Sequence, residues 1–175
     1  MNMRLMQFSI YLVLALAGLA ACNPTFNWRD VRPEDTRLSL LMPCKPDKAQ
    51  KTVPMAGQPT ELMLLSCDAG GVTFAVAVAD VKDASRVKDA LVQWQAASLT
   101  SLKASLATPG TAFKSTGLPS GAVMLSATGK RANGQTVSSQ AAYFAQGSQV
   151  FQAAIYADKL APDVADTFFS GLKFE

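Results

Sequence analysis

Apolar and polar residues alternate over short segments along much of the chain, a pattern typical of β-strands. The first clear segment covers residues 36–42, and a second, apolar on both faces, covers residues 62–67. Between them, residues 47–60 are polar and contain two prolines, so they predict a loop or an irregular edge strand. In residues 72–81, one face carries three valines and a phenylalanine and the other carries alanines. We expect this strand in the middle of a sheet, with its small residues under a helix.

Helical periodicity follows this strand. Asp83 or Ser85 is placed to cap a helix that we expect to continue to about Ser105. Trp94 belongs to its apolar stripe and is predicted to anchor the helix on the sheet; the alternative is that the stripe lines a ligand cavity beside Trp94. The stripe contains Val87, Leu91, Trp94, Leu102 and Leu106, with Ser98 in its middle. A second, short helix is predicted from Pro162, because proline is tolerated in a first turn.

Three more strands are predicted between the helices, at residues 122–130, 136–145 and 149–157. Asn133-Gly134 and Gly147-Ser148 are short turn sequences between them, so this half is predicted to be an antiparallel meander. The whole order is three strands, a helix, three strands and a helix, βββα-βββα. It indicates a single α+β domain over residues 36–175, with a largely antiparallel sheet of about six strands and two helices packed on it.

The N-terminus has a different pattern, in which a single charge, Arg4, precedes an apolar run over residues 10–21. Such a segment is typical of a secretory signal peptide, and it is short for a membrane span of about 20 residues. The run ends in Leu-Ala-Ala-Cys, which resembles the lipobox of bacterial lipoproteins. The resemblance implies that residues 1–21 are removed and that Cys22 carries acyl chains in the membrane. Asn23, in place of aspartate, implies the outer membrane and a domain facing the periplasm. The alternative is an ordinary signal peptide with an incidental cysteine.

Residues 22–35 have no periodicity and contain two prolines, which indicates a tether between the lipid and the domain. Phe26 and Trp28, together with Arg29 and Arg32, have side chains that are favoured at lipid headgroups. The alternative is that Trp28 packs on the edge of the domain.

Composition and charge exclude several classes of site. The chain contains no histidine, so histidine metal ligands, a Ser-His-Asp triad and a Cys-His dyad are excluded. Without the leader, 15 Lys and Arg stand against 13 Asp and Glu, and a net charge of +2 gives no reason to expect nucleic acid as a partner. We therefore expect no enzyme activity, no metal and no cofactor.

Apart from Cys22, the chain has two cysteines, Cys44 and Cys67. An even pair in an exported protein indicates a disulfide. A redox pair is a second interpretation, although dithiol catalysts normally keep their thiols close in a Cys-x-x-Cys motif and these two are 23 positions apart. Free thiols or a metal site are further alternatives, but two thiols alone make a poor zinc site.

Two charged clusters are also candidates for chemistry. Asp80 and Asp83, with Lys82 between them, would suit a cation or an acid-base pair, but such a cluster more often caps a helix. Lys130 and Arg131 lie at the tip of a predicted hairpin, where cations are usually solvated; they would also suit an anionic surface.

Two short motifs resemble motifs of proteins with the PsbP-type fold, a family that includes bacterial DcrB-like lipoproteins. In that family an early strand ends in a Phe-Pro-Gly-Lys-Pro-like turn, and the last helix has a Phe-x-x-Ser-Leu-like end. Here residues 42–46, Met-Pro-Cys-Lys-Pro, and residues 168–172, Phe-Phe-Ser-Gly-Leu, stand at these places. Cys44 replaces the family's glycine. The resemblance implies a non-catalytic accessory or binding protein at a membrane, and no catalytic residues.

Three functions follow as hypotheses. The first is a non-catalytic envelope lipoprotein that binds another envelope protein as an accessory module. The second is a carrier of a small molecule or lipid, with a cavity between helix and sheet beside Trp94. The third is a thiol oxidoreductase that uses Cys44 and Cys67.

Overall fold

The computed structural model describes residues 25–106 and 110–175. The predicted leader, residues 1–21, and Cys22 lie outside the described residues. Within them the fold is α+β, with two antiparallel sheets, two α-helices and more strand than helix. The coarse prediction of a largely antiparallel α+β fold with two helices is therefore confirmed.

The strands, in chain order, are β1 (Arg29–Val31), β2 (Leu38–Met42), β3 (Asp47–Met55), β4 (Gln58–Ala69), β5 (Val72–Asp80), β6 (Ser105–Leu106), β7 (Thr111–Ala112), β8 (Val123–Lys130), β9 (Thr136–Gln146), β10 (Gln149–Ala157) and β11 (Lys173–Phe174). The helices are α1 (Val87–Ser101), which follows a 3-10 turn at Ala84–Arg86, and α2 (Pro162–Ser170). The larger sheet has the order β3-β4-β5-β10-β9-β8-β6, with β7 also paired to β8, and the smaller sheet has the order β1-β2-β11.

The centre of the larger sheet agrees with the sequence pattern. β5 lies between β4 and β10, as its two apolar faces predict. β8, β9 and β10 form the predicted meander, and β10 has the predicted bounds. Gly134 and Gly147 take positive φ angles of 85° and 61° in the two connecting turns, a backbone conformation that costs glycine little.

The two faces of β5 pack against different layers. On one face, Phe74 lies in the main core with residues of β2 and α2, including Phe168, and both rings are 0% exposed. On the other face, Ala77 and Ala79 lie under α1, whose Ala90 is fully buried. The smaller sheet with α2, the larger sheet and α1 thus form three successive layers, and the alanines let α1 approach the sheet closely.

The described residues contain 11 strands rather than about six. Four of the additional strands, β1, β6, β7 and β11, have only two or three residues. The fifth is β3, which pairs with β4 through a turn at Ala56-Gly57, where both residues have positive φ angles. Of the two interpretations for residues 47–60, the edge strand is the one that the structure shows. Its first six side chains are exposed whichever face they occupy, so no alternation marks it.

The first helix is shorter than predicted. α1 ends at Ser101, whereas the apolar stripe suggested a helix to about Ser105. Lys103 has a positive φ of 47°, which turns the chain so that β6 pairs with β8 at the sheet edge. Leu106 therefore belongs to a strand and not to the helical stripe.

Candidate functional site

An open groove of about 390 Å³ lies between α1 and the β3–β4 edge of the larger sheet. Its apolar lining includes Val53, Met55, Leu62, Trp94 and the ring of Tyr156. Lys51 is the one charged residue among the described residues that line it. The groove is thus a mainly apolar site that is open to solvent on one side.

Small residues beside Trp94 leave this space unfilled. Ala97, Ser98 and Ser101 of α1 line the groove, and Ala90 is the one residue of the helix that is fully buried. A large apolar side chain at position 97 or 101 would occupy the volume. The groove therefore follows from the local sequence of α1 and not from a gap in the sheet.

Three polar side chains form a hydrogen-bond network between α1 and the larger sheet. The side-chain amide of Gln152 donates hydrogen bonds to Ser98 Oγ, at 3.0 Å, and to the Tyr143 hydroxyl, at 2.7 Å. Tyr143 is 2% exposed, and its ring meets Trp94 edge-on with 6.3 Å between centroids. Because buried polar groups need partners, this network fixes Ser98, which lines the groove, and the Tyr143 ring that packs against Trp94.

Burial raises the pKa values of both tyrosines at this site. The pKa of Tyr143 is raised by burial, although hydrogen bonds with Ser98 and Gln152 oppose the shift. The pKa of Tyr156 is raised to about 12, mainly by burial and further by the neighbouring Tyr143. Both phenols therefore stay protonated at neutral pH and do not serve as general bases there.

Trp94 takes both positions that the sequence suggested for it. It packs against the core under α1 and it also forms a wall of the groove. Ligand binding itself remains a prediction. Helical and strand periodicity alone did not single out Gln152, Tyr143 or Tyr156. The available signal was the alternation within β9 and β10, because it assigns all three to the face under α1.

Cys44 and Cys67 form a disulfide, with 6.0 Å between their Cα atoms. Cys44 follows β2 and Cys67 lies in β4, so the bridge joins the smaller sheet to the larger one. Cys67 is 8% exposed and belongs to the main core. The predicted pairing is confirmed, and its position between two layers favours a structural role.

The turn between β5 and α1 is stabilised by hydrogen bonds of Asp80, Lys82 and Asp83. Asp80 accepts hydrogen bonds from the backbone N–H of Lys82, from Lys82 Nζ and from Ser148 Oγ, at 2.8, 3.0 and 2.7 Å. Partial burial opposes its ionisation, but these hydrogen bonds outweigh that effect and lower the pKa of Asp80. Asp83 accepts a hydrogen bond from the backbone N–H of Ser85 at 2.9 Å. Asp83 therefore caps the 3-10 turn at Ala84–Arg86, whereas α1 follows Arg86 without a side-chain cap, so the predicted capping of α1 by Asp83 or Ser85 is wrong.

The segment before β1 packs on the domain. The rings of Phe26 and Trp28 stack at 5.9 Å, and they meet Phe74 edge-on at 6.3 and 5.8 Å. The backbone N–H of Asn27 donates to the carbonyl oxygen of Pro43 at 2.8 Å. Packing on the domain edge, the alternative given for Trp28, is thus what the structure shows.

In the described part of the chain, no helix has the length and apolar character needed to cross a membrane. Within the same residues, no group of three or more Cys, Asp or Glu side chains is placed to hold a metal ion. No protein-family model matches the chain, and no curated protein shows significant similarity to it. The lipobox and PsbP-type resemblances therefore remain predictions that rest on the residues quoted above.

Proposed function

We propose that this protein is a non-catalytic lipoprotein of the bacterial envelope that carries a small apolar or amphipathic ligand in the groove beside Trp94. Acyl chains on Cys22 would anchor it to the outer membrane, with the domain in the periplasm. The Leu-Ala-Ala-Cys sequence supports the anchor, and the short motifs in residues 42–46 and 168–172 support a PsbP-type domain. The large antiparallel sheet with two helices is compatible with that assignment.

The groove is the observation that carries the proposed ligand binding. Its volume of about 390 Å³ falls in the range of about 300–1,000 Å³ that is usual for small-molecule sites. At about 30 Å³ for each water-sized group, it has room for about a dozen heavy atoms. Ser98, Ser101 and Lys51 are among the polar residues of the lining, and their hydroxyl and ammonium groups would orient such a ligand.

Dodecanoate is a suitable probe, because its size matches the groove and its carboxylate suits Lys51. The acylated chain, reconstituted in nanodiscs, is titrated as the Trp28→Phe variant, since Trp94 is then the reporting tryptophan. We expect Trp94 emission to shift to shorter wavelength and to saturate, because the bound chain replaces water beside the indole ring.

Two neighbouring alanines of α1 provide a matched pair of variants. Ala97→Leu fills the groove and is expected to abolish the saturable shift, whereas Ala96→Leu, at an exposed position outside the groove, is expected to preserve it. A response that never saturates and is the same in both variants would contradict the proposal, because it would report only partition of dodecanoate into the bilayer.

The outer edge of β3, which pairs with no strand there among the described residues, favours a second function, an accessory module that docks on another envelope protein. β3 is nine residues long, and seven of these residues are exposed. An edge strand presents unpaired backbone groups on which a strand of a partner can add. In intact cells, chemical crosslinks from Lys48 or Lys51 to one envelope protein, absent with Cys22→Ala, would support this function. Recovery of no protein would favour the carrier.

A further inference from the structure

Four basic residues lie at the tip of the β8–β9 hairpin and in the two loops beside it: Lys103, Lys130, Arg131 and Lys159. We name this cluster the basic corner. The backbone N–H of Lys130 donates to the carbonyl oxygen of Leu102 at 2.7 Å, so the residue after α1 lies beside the end of β8. Arg131 Nε lies 3.9 Å from Asp158 Oδ1, which brings the loop after β10 to the same place. The three lysines are exposed, and Asp158 is the one carboxylate paired with the corner among the described residues.

The N-terminal segment is held at the same end of the larger sheet. Phe26 packs against the β4–β5 turn so closely that a Cβ at Gly70 would lie 2.6 Å from its ring. Beyond this turn β5 begins at Val72, which pairs with Ala157 of β10, the residue before Asp158. Phe26 is four positions after Cys22, and an extended chain covers at most about 3.6 Å for each residue. An anchor on Cys22 would hold this end of the sheet within about 14 Å of the lipid.

The opposite end of the larger sheet carries a cluster of negative charge. Four carboxylates, those of Glu34, Asp35, Glu61 and Asp80, line an open cleft of about 300 Å³ there. Lys82 is the one basic residue among the described residues of that lining. A negatively charged membrane would therefore attract the end that holds Phe26 and repel the end that holds the cleft.

We infer that the basic corner contacts the headgroups of anionic phospholipids in the membrane that anchors the protein. The inference rests on the proposed acylation of Cys22, and it adds a fixed orientation of the domain to that anchor. Basic residues near an anionic surface each strengthen the contact about fivefold, and a lipid chain combined with a basic patch is a recognised pair of membrane signals. Lys130 and Arg131 do not line the groove, and membrane contact gives them a function.

Hydrogen–deuterium exchange of the acylated full chain in nanodiscs tests this contact. We expect amide exchange in residues 129–135 and 158–160 to slow about fivefold or more in phosphatidylethanolamine–phosphatidylglycerol discs relative to phosphatidylcholine discs. The effect should disappear at about 0.5 M salt, where exposed charges are screened. The intact mass of the protein is measured in the same samples, to show whether Cys22 is acylated.

A pair of double variants separates the corner from net charge. Lys130→Gln with Arg131→Gln is expected to reduce the slowing at least fivefold, whereas Lys88→Gln with Lys114→Gln, two exposed lysines away from the corner, should retain it in full. Equal exchange rates in both kinds of disc, for a chain whose mass shows acylation, would overturn the inference and leave the anchor and the groove standing. A mass without acyl groups would overturn the anchor itself, and the inference with it.

Discussion

Loss of the Cys44–Cys67 disulfide is expected to lower the free energy of unfolding by about 3 kcal/mol. The bridge joins residues 23 positions apart, and in the chain-entropy model closing a loop of that length removes about 12 cal/mol/K from the unfolded chain. At room temperature this corresponds to about 3.4 kcal/mol. For a domain of this size, the midpoint of thermal unfolding should fall by about 7–14 °C.

The double variant Cys44→Ala with Cys67→Ala removes the bridge without leaving a thiol in the core. Urea unfolding of the acylated chain, followed by the fluorescence of Trp28 and Trp94, measures the loss. The unchanged protein in a reducing buffer is the matched control and should lose a similar amount. A loss under about 1 kcal/mol in both experiments would refute the reasoning, because the bridge would then add little constraint to the unfolded chain.

The same variant distinguishes a structural bridge from a thiol oxidoreductase. If the bridge is structural, the variant binds dodecanoate normally at a temperature where it is folded, and it is only less stable. If Cys44 and Cys67 carry out redox chemistry, the single substitution Cys44→Ser abolishes the function of the protein in cells even at a temperature where the variant is folded. We expect the first result, because the bridge joins two layers of the core.

Three further changes test the core and the ionisable groups. Phe168→Ala should cost about 3–5 kcal/mol in urea unfolding, since Phe168 is fully buried 5.4 Å from the Phe74 ring, whereas Val92→Ala, at a position 58% exposed, should change stability by no more than about 0.5 kcal/mol. Because the pKa of Tyr156 is about 12 in the folded protein against 10.0 as its reference, its contribution to stability is complete below pH 10 and is lost as pH rises towards 12. Tyr156→Phe should therefore flatten the alkaline fall in stability, measured by urea unfolding at each pH. The folded pKa of Asp80 lies below its reference of 3.8, so its contribution to stability is complete above pH 3.8 and is lost as pH falls through the folded pKa. Asp80→Asn should therefore reduce the fall in stability at acid pH. An unchanged fall would contradict a stabilising role for the ionised carboxylate.

The fold could be predicted from the sequence where the two faces of a strand carry different kinds of side chain. β5 and β10 follow this rule, and their bounds agree with the alternation to within one residue. β3 does not, because its first six residues are exposed on both faces of this edge strand and need no alternation. The end of α1 was misplaced because Leu106 continues the helical spacing, while the positive φ of Lys103 and the pairing of β6 are set by tertiary contacts.

The candidate site could be predicted in part, for a related reason. Trp94 was found because a large aromatic residue in a helical stripe is visible in a single segment. Tyr143, which meets the Trp94 ring, and Gln152, which donates to Tyr143, come from two different strands. The alternation within a strand shows which face a residue takes but not which residues it contacts. The groove is open because Ala97 and Ser101 have small side chains. Small residues in a helix indicate a groove only when the strands that face them are known, and a single sequence does not show which strands these are.

The groove and the basic corner meet at one end of α1, which relates the two proposals physically. Leu102 lines the groove, and its carbonyl oxygen accepts the hydrogen bond from the backbone N–H of Lys130. Tyr156, on the adjacent wall, is two positions before Asp158, the partner of Arg131. A corner in contact with anionic headgroups would therefore bring this end of the groove to the membrane surface. An amphipathic ligand would then pass between bilayer and groove with its apolar part shielded from bulk water, which removes the largest energetic barrier to the transfer of such a molecule.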